Sequence, residues 1–317
     1  MSRAELQRPD YFRPERRVSL ASRAWSLQHR LAPYLFVLPF VLLFAIFILY
    51  PLVRSLILST YKTVGPRHEI FAGLDNYRFV LGDRVFALAV TNTIGYTIAF
   101  LFLQIPLALG LALLLNSRRV LARAVYRFAF FSAHLVGQVF VAVLFAQLLS
   151  PRSGIVNLGL SKILGRAVEI SWLGDPNLAM PSVLIAALWL SVGFGMVYFL
   201  AALQAVDQEL YEAAEVDGAG RWSTFWHVTL PGIRPVLIFM ILVGTIGAFQ
   251  LFELPWVLFQ QTPGPDNRGL TIVMYLFQMG FQVNDLGLAS AVGWLLVALN
   301  LAVALCLIRF SGTTKEL

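Results

Sequence analysis

Six stretches of this sequence are too long and too apolar to serve as core helices of a water-soluble domain. They run about Ala32–Val53, Leu88–Leu114, Phe128–Leu149, Met180–Val206, Pro235–Phe259 and Leu286–Ile308. Five hold no Asp, Glu, Lys or Arg, and the stretch Pro235–Phe259 holds a single acid, Glu253. A bilayer core about 30 Å thick is crossed by roughly 20 helical residues. Backbone groups in hydrocarbon must bond within their own segment, so each stretch reads as a helix. The ten-residue alternation of a membrane barrel is absent. Charged residues make up 13% of the 317, about half the usual share in soluble domains (about 25%). The expectation is an all-α membrane protein with six transmembrane helices.

The net charge of +7 does not point to nucleic acid, because the basic residues sit in short segments between apolar runs. Seven Arg precede the first stretch, which places the N-terminus in the cytoplasm. Six spans return the C-terminus to the same side. Of 24 basic residues, fifteen fall on segments then assigned inside. The first outer loop, Arg54 to Ala87, is the untidy one, with five bases. Residues 1–31 carry no apolar core of a cleaved signal, so the first span reads as an uncleaved anchor. The expected organisation is a cytoplasmic N-terminal segment (1–31), a six-helix transmembrane domain (32–310) and a cytoplasmic tail (311–317). Leu74 to Tyr77 suggests a short interfacial helix ahead of the second span, while Pro263-Gly264-Pro265 cannot continue a helix.

The loop between the fourth and fifth spans, 207–231, differs from the others. It carries Asp207, Glu209, Glu212, Glu215 and Asp217. Asp207 can cap a helix whose first turn has Glu209, and Leu210, Ala213, Ala214 and Val216 give it an apolar side. Gly218 and Gly220 stop it. A second amphipathic stretch with Trp222, Phe225, Trp226 and Val228 ends at Leu230-Pro231. One reading is a helix pair on lipid headgroups. Helices on the anionic inner leaflet usually have a basic face; this one is acidic, which favours a soluble protein partner.

Those residues also carry a family resemblance. Glu212-Ala213-Ala214, three residues, Gly218, nine residues, Val228, one residue, Leu230-Pro231 resembles the EAA loop of binding-protein-dependent ABC importers, with Val in place of the usual Ile. Leu38-Pro39, Tyr50-Pro51, Thr91-Asn92-Thr93, Trp172 to Asn177, Phe225 to Pro235, Phe249 to Phe252 and Asp285 to Ala291 resemble the sugar-importer branch, first-permease type, as in maltose, multiple-sugar and glycerol-3-phosphate systems. The likeness covers about residues 32 to 310. It implies a type I importer permease fold in a bacterial or archaeal inner membrane. It implies that Glu212, Ala213, Ala214, Gly218, Leu230 and Pro231 form coupling helices seated on a cytoplasmic ATPase. The implied partners are a second, homologous permease, two ATPase subunits and an extracytoplasmic solute-binding protein. ATP and its magnesium would bind on the ATPase, and this chain would hold no cofactor. The sequence itself agrees: a phosphate loop needs Gly-Lys-Ser/Thr, and Lys62, Lys162 and Lys315, the lysines present, do not follow glycine.

Polar groups inside spans are functional candidates, and sugars need hydrogen-bonding groups beside an aromatic face. Trp189, Ser191, Phe194 and Tyr198 offer this in the fourth span. In the fifth, helical spacing sets Gln250 and Glu253 one turn apart on one face, beside Phe249 and Phe252. By the resemblance, Leu190, Ser191, Phe194, Phe249, Gln250 and Glu253 fall at sugar-binding positions of the maltose-type permease. Glu253 departs from the amide there, and it suits either a solute or an Arg of the partner permease. Gln104, Gln138, Gln147 and Asn300 read as interhelical hydrogen-bonding groups, and His134 as structural. The four histidines have no paired spacing for a metal, and no nucleophile–His–acid set is evident. Cys306 reads as a small buried hydrophobe. A self-sufficient secondary transporter would need intramembrane titratable pairs; only Glu253 qualifies. An intramembrane enzyme lacks a catalytic cluster, and a non-sugar polar solute remains open as cargo.

Overall fold

The structure, a computed structural model, describes residues 20–64, 68–117 and 120–311. The expected terminal segments up to residue 19 and beyond residue 311 lie outside these. The chain divides into two units, Met1–Ser55 and Leu56–Leu317. In the first, α1 (Leu20–Phe44) passes through a π-helical turn (Ala45–Leu49) into α2 (Tyr50–Leu58), which leads into the second unit. The wide turn lies just ahead of Pro51, whose missing N–H breaks the regular ladder.

The second unit opens with an antiparallel hairpin, β1 (Tyr61–Val64) and β2 (His68–Phe71), then α3 (Asp75–Gly82), which is the short helix the sequence suggests. Two long helices follow the expected second and fourth spans: α4 (Arg84–Asn116) and α8 (Pro176–Ala205). Asp83 caps α4 by accepting from the Val85 N–H at 2.9 Å, and Asp175 caps α8 through Asn177 N–H at 2.8 Å, with Pro176 in the first turn. They pack along their length through small residues: Ala108 and Ala112 on α4, and Ala186, Ala187 and Gly195 on α8, while Gly193 of α8 lies against the segment after α4. In a bilayer such close approach, rather than hydrophobic burial, drives helix association. A Cβ at Gly193 would run into the Phe130 carbonyl oxygen.

Two of the six expected spans are broken. The third divides into α5 (Arg123–Ser132), a 3-10 turn (Ala133–Leu135) and α6 (Gln138–Leu148), bent by 98°. Val136 and Gly137 are extended there, with Gly137 at ψ 142. The fifth, expected to run to Phe259, instead comprises α12 (Arg234–Phe249), an irregular turn and α13 (Glu253–Leu258). Pro255 supplies the reason. It has no N–H for the Leu251 carbonyl, which accepts from Thr271 Oγ1 at 2.7 Å instead. Counting Arg123–Leu135 with Gln138–Leu148 as one span, and Arg221–Gly232 with Arg234–Phe249 as another, up to six crossings exist among the described residues.

The connections that follow α6 and α13 are more ordered than expected. Between α6 and α8 lies α7 (Ile155–Leu164), held by Asn157, whose amide donates to the Pro151 and Ile170 carbonyls and accepts from Trp172 Nε1. The segment from Gln260 to Asp285, expected as loop, contains α14 (Ile272–Phe277), ahead of the last span, α15 (Leu286–Ser311). The remaining short helices are α9 (Gln208–Val216), α10 (Arg221–Thr224) and α11 (Leu230–Gly232), between α8 and α12.

Asp285 ties the hairpin to α15. It accepts from Thr63 N–H at 3.2 Å, Thr63 Oγ1–H at 3.0 Å and Leu288 N–H at 3.0 Å. Asp285→Ala is therefore expected to cost about 1–3 kcal/mol, read as a lower thermal midpoint in detergent. Asp75→Ala, which removes an exposed ion pair with Arg78, leaves the midpoint unchanged.

Candidate functional site

The loop between α8 and α12 is built as the sequence suggests. Asp207 accepts from Glu209 N–H at 3.0 Å and starts α9. The helix closes with Ala219 N–H donating to Ala214 and Gly218 N–H to Glu215, with Gly218 at φ +73. That conformation suits glycine. Glu209, Glu212, Ala213, Glu215 and Gly218 are exposed, Ala214 half-buried, and Val216 is 87% exposed. A second run, α10 through a π-helical turn (Phe225–Thr229) to α11, carries Leu230 and Pro231 and meets α12 at 67°. Trp222, Phe225 and Trp226 pack edge and face against one another, centroids 5.6–6.0 Å apart. Tyr211 of α9 donates to Thr229 Oγ1 at 3.3 Å, so the two runs are pinned together.

Toward the other end of α12, the two broken spans border a cavity of about 290 Å³. The bend in the third span supplies His134, Val136 and Gln138; the break in the fifth supplies Ala248, Leu251 and Leu254. Tyr96 and Phe100 on α4, stacked at 5.7 Å, Leu190, Ser191 and Phe194 on α8, and Val243, Gly244 and Gly247 on α12 add to the wall. Non-helical backbone at membrane depth belongs where it is buried in protein or lines a cavity. His134 Nδ1 lies 3.3 Å from the Leu190 carbonyl oxygen, and its ring stacks on Phe194 at 4.5 Å. Ser191 Oγ–H donates to Ala187 O at 2.8 Å, which leaves its lone pairs free to accept. Aromatic faces thus stand beside an imidazole, an amide and a hydroxyl.

The structure separates the candidates for solute contact. Leu190, Ser191 and Phe194 come together at the cavity. Phe249 does not: it is 3% exposed and packs with Val80, Phe86 and Tyr275. The expectation that Gln250 and Glu253 share a helical face does not hold. Gln250 ends α12 and Glu253 begins α13, with Phe252 at φ −143 between them. Both are exposed, outside the cavity wall. Gln104, expected to bond across helices, has an Oε1 without a hydrogen-bond partner. His134, Gln138, Tyr96 and Phe100 were not singled out for solute contact in the sequence. For the first two, Gly137 between them was the available signal, since it marks the bend.

A family model described as "Binding-protein-dependent transport system inner membrane component" matches residues 104–311. The chain belongs to this family. The match takes in both broken spans and the α9–α11 loop. This permease-family chain is 37% identical to the arabinooligosaccharides transport system permease protein AraP of Bacillus subtilis over 285 residues, 90% of each chain. It is 34% identical to the lactose transport system permease protein LacF of Rhizobium radiobacter, covering 83% of this chain and 88% of that protein. Among solved structures it resembles a chain of a bacterial ABC transporter involved in the import of the acidic polysaccharide alginate. The TM-score there is 0.78 at 26% identity, over 91% of this chain and 98% of that one.

Thr271 is the predicted weak point of the site. It donates to Leu251 O and accepts from Met274 N–H at 3.2 Å. Thr271→Val leaves the buried Leu251 carbonyl unpaired, at an expected cost of about 1–3 kcal/mol. The thermal midpoint in detergent should fall, while Thr262→Val, whose hydroxyl bonds its own turn, should change it little.

Proposed function

We propose that this chain is one of two permease subunits of a binding-protein-dependent ABC importer that carries a sugar or sugar derivative into the cell. The observation that carries the reading is the cavity framed by both helix breaks. Its stacked aromatics, imidazole, amide and hydroxyl offer the mixed apolar and hydrogen-bonding surface that a sugar ring needs. The names of AraP and LacF support a saccharide cargo. Leu190, Ser191, Phe194, His134 and Gln138 are the proposed solute contacts. Gln250 and Glu253, exposed beside the cavity break, are available to the second permease or to a solute held between the two.

The exposed acidic helix α9 is the proposed seat of a separate ATPase subunit, which would hydrolyse ATP in place of this chain. Its exposed apolar residues, Leu210 and Val216, suit a protein groove better than an anionic lipid surface. A solute-binding protein would deliver cargo from the opposite face. A solved alginate transporter in complex with an alginate pentasaccharide-bound periplasmic protein, TM-score 0.76, supports that arrangement. The excess of basic residues on the coupling-loop side supports cytoplasmic termini, with residues 1–31 and 311–317 as the flanking segments.

Two variants test the two halves of this proposal. His134→Ala is expected to lower saturating uptake of arabinose oligosaccharides or lactose about tenfold, equivalent to about 1.4 kcal/mol; unchanged uptake of a transported sugar removes His134 from the site. Glu212→Lys should leave the chain inserted and the basal ATPase intact, yet cut stimulation by loaded binding protein at least about fivefold, about 1 kcal/mol. Normal stimulation contradicts the docking role.

A further inference from the structure

Gln104 sits one helical turn beyond Phe100 on the α4 face that lines the cavity, and Ala108 and Ala112 continue that face. The direction is toward the coupling loop, because Leu113 borders the space beside Tyr211 and Trp222. Gln104 is 3% exposed, and its Oε1 has no hydrogen-bond partner. An amide oxygen buried without a donor loses its solvation and gains nothing in return, and such groups in a span tend to mark a pathway. The fold also makes room for the amide. A Cβ at Gly195 would lie 2.5 Å from Gln104 Nε2 and 2.9 Å from Ala108 Cβ. Gly195 is one turn beyond Ser191, which lines the cavity, and Met240 of α12 closes the same spot from the third side.

We propose that Gln104 is a gate residue of the solute path. In this conformation Gln104, Gly195 and Met240 pack together one turn beyond the lining residues Phe100 and Ser191 and make a floor beneath the cavity. When the floor opens toward the coupling-loop face, the Gln104 amide lines the way and offers its free oxygen to hydroxyl groups or water. The proposal rests on the cavity's being the solute site. It goes beyond that reading by assigning the next step inward and a polar group that acts there. The Oε1 unpaired in the closed floor finds its donor when the path is hydrated.

Thiol accessibility tests this in the complete importer, in membrane vesicles, with Cys306→Ser as background. The probe is a membrane-impermeant cationic methanethiosulfonate applied from the coupling-loop face of inside-out vesicles. Gln104→Cys is read against Ser191→Cys in the cavity and Ala291→Cys, a fully buried site on α15. The expected result is that Gln104→Cys and Ser191→Cys both react at least tenfold faster than Ala291→Cys. If Ser191→Cys reacts and Gln104→Cys is as slow as Ala291→Cys, the gate is overturned and the cavity reading stands. If neither reacts, both fall. Should Gln104→Cys fail to accumulate in the membrane, Ala108→Cys on the same face replaces it, with the same outcomes.

Discussion

The carbonyl of Leu251 has to find a hydrogen-bond donor, because Pro255 has no N–H to give it. Thr271 supplies one, and much of the site follows from that bond. Thr271 also caps α14, and Ile272 N–H donates to Thr93 Oγ1 at 3.1 Å. Asn92 donates to the carbonyls of Asn267 and Leu270. The segment after the break is thereby fastened to α4. With the break fixed, α13 leans against α6, and Leu251 and Leu254 turn toward the cavity. A helix continuing to Phe259 would erase that wall.

The same logic connects the two ends of the site. A helical run from Arg221 to Phe249, bent by 67°, joins the α9–α11 loop to the cavity wall, where Val243, Gly244 and Gly247 sit. Tyr211 pins α9 to this run. In the proposed account, a push on α9 turns α12 as a lever and changes the cavity's shape, a rigid-body switch rather than a gradual deformation. The bent helices are the places where such a switch can act, since regular spans packed through alanine and glycine have little freedom to slide.

Much of this was legible in the sequence, and the gaps have physical causes. Charge-free runs of about 20 residues announce spans because the bilayer leaves the backbone no alternative. Asp207, Gly218 and Pro231 announce the ends of the short helices between α8 and α12 because each has a local reason to be there. What the runs conceal is a break inside them. Gly137 is one glycine in an apolar stretch, and Pro255 lies three residues inside a helix start, where proline is tolerated. Hydropathy carries no trace of a carbonyl rescued by a threonine 20 residues away. Helical spacing therefore paired Gln250 with Glu253 and missed His134 and Gln138, which only the bend brings to the cavity. The α14 helix was hidden for the opposite reason, since it is short and lies in a stretch punctuated by proline and glycine.

The central claim is that this chain works as the membrane half of an ATP-driven machine, with α9 as the contact. The most direct measurement is mild-detergent purification through a tag on this chain, followed by reconstitution in lipid with sugar-loaded and empty binding protein. The account predicts that an ATPase subunit co-purifies and that its rate rises severalfold with the loaded form only. Isolation of this chain with no ATPase, together with solute uptake by the chain alone in liposomes, would contradict it.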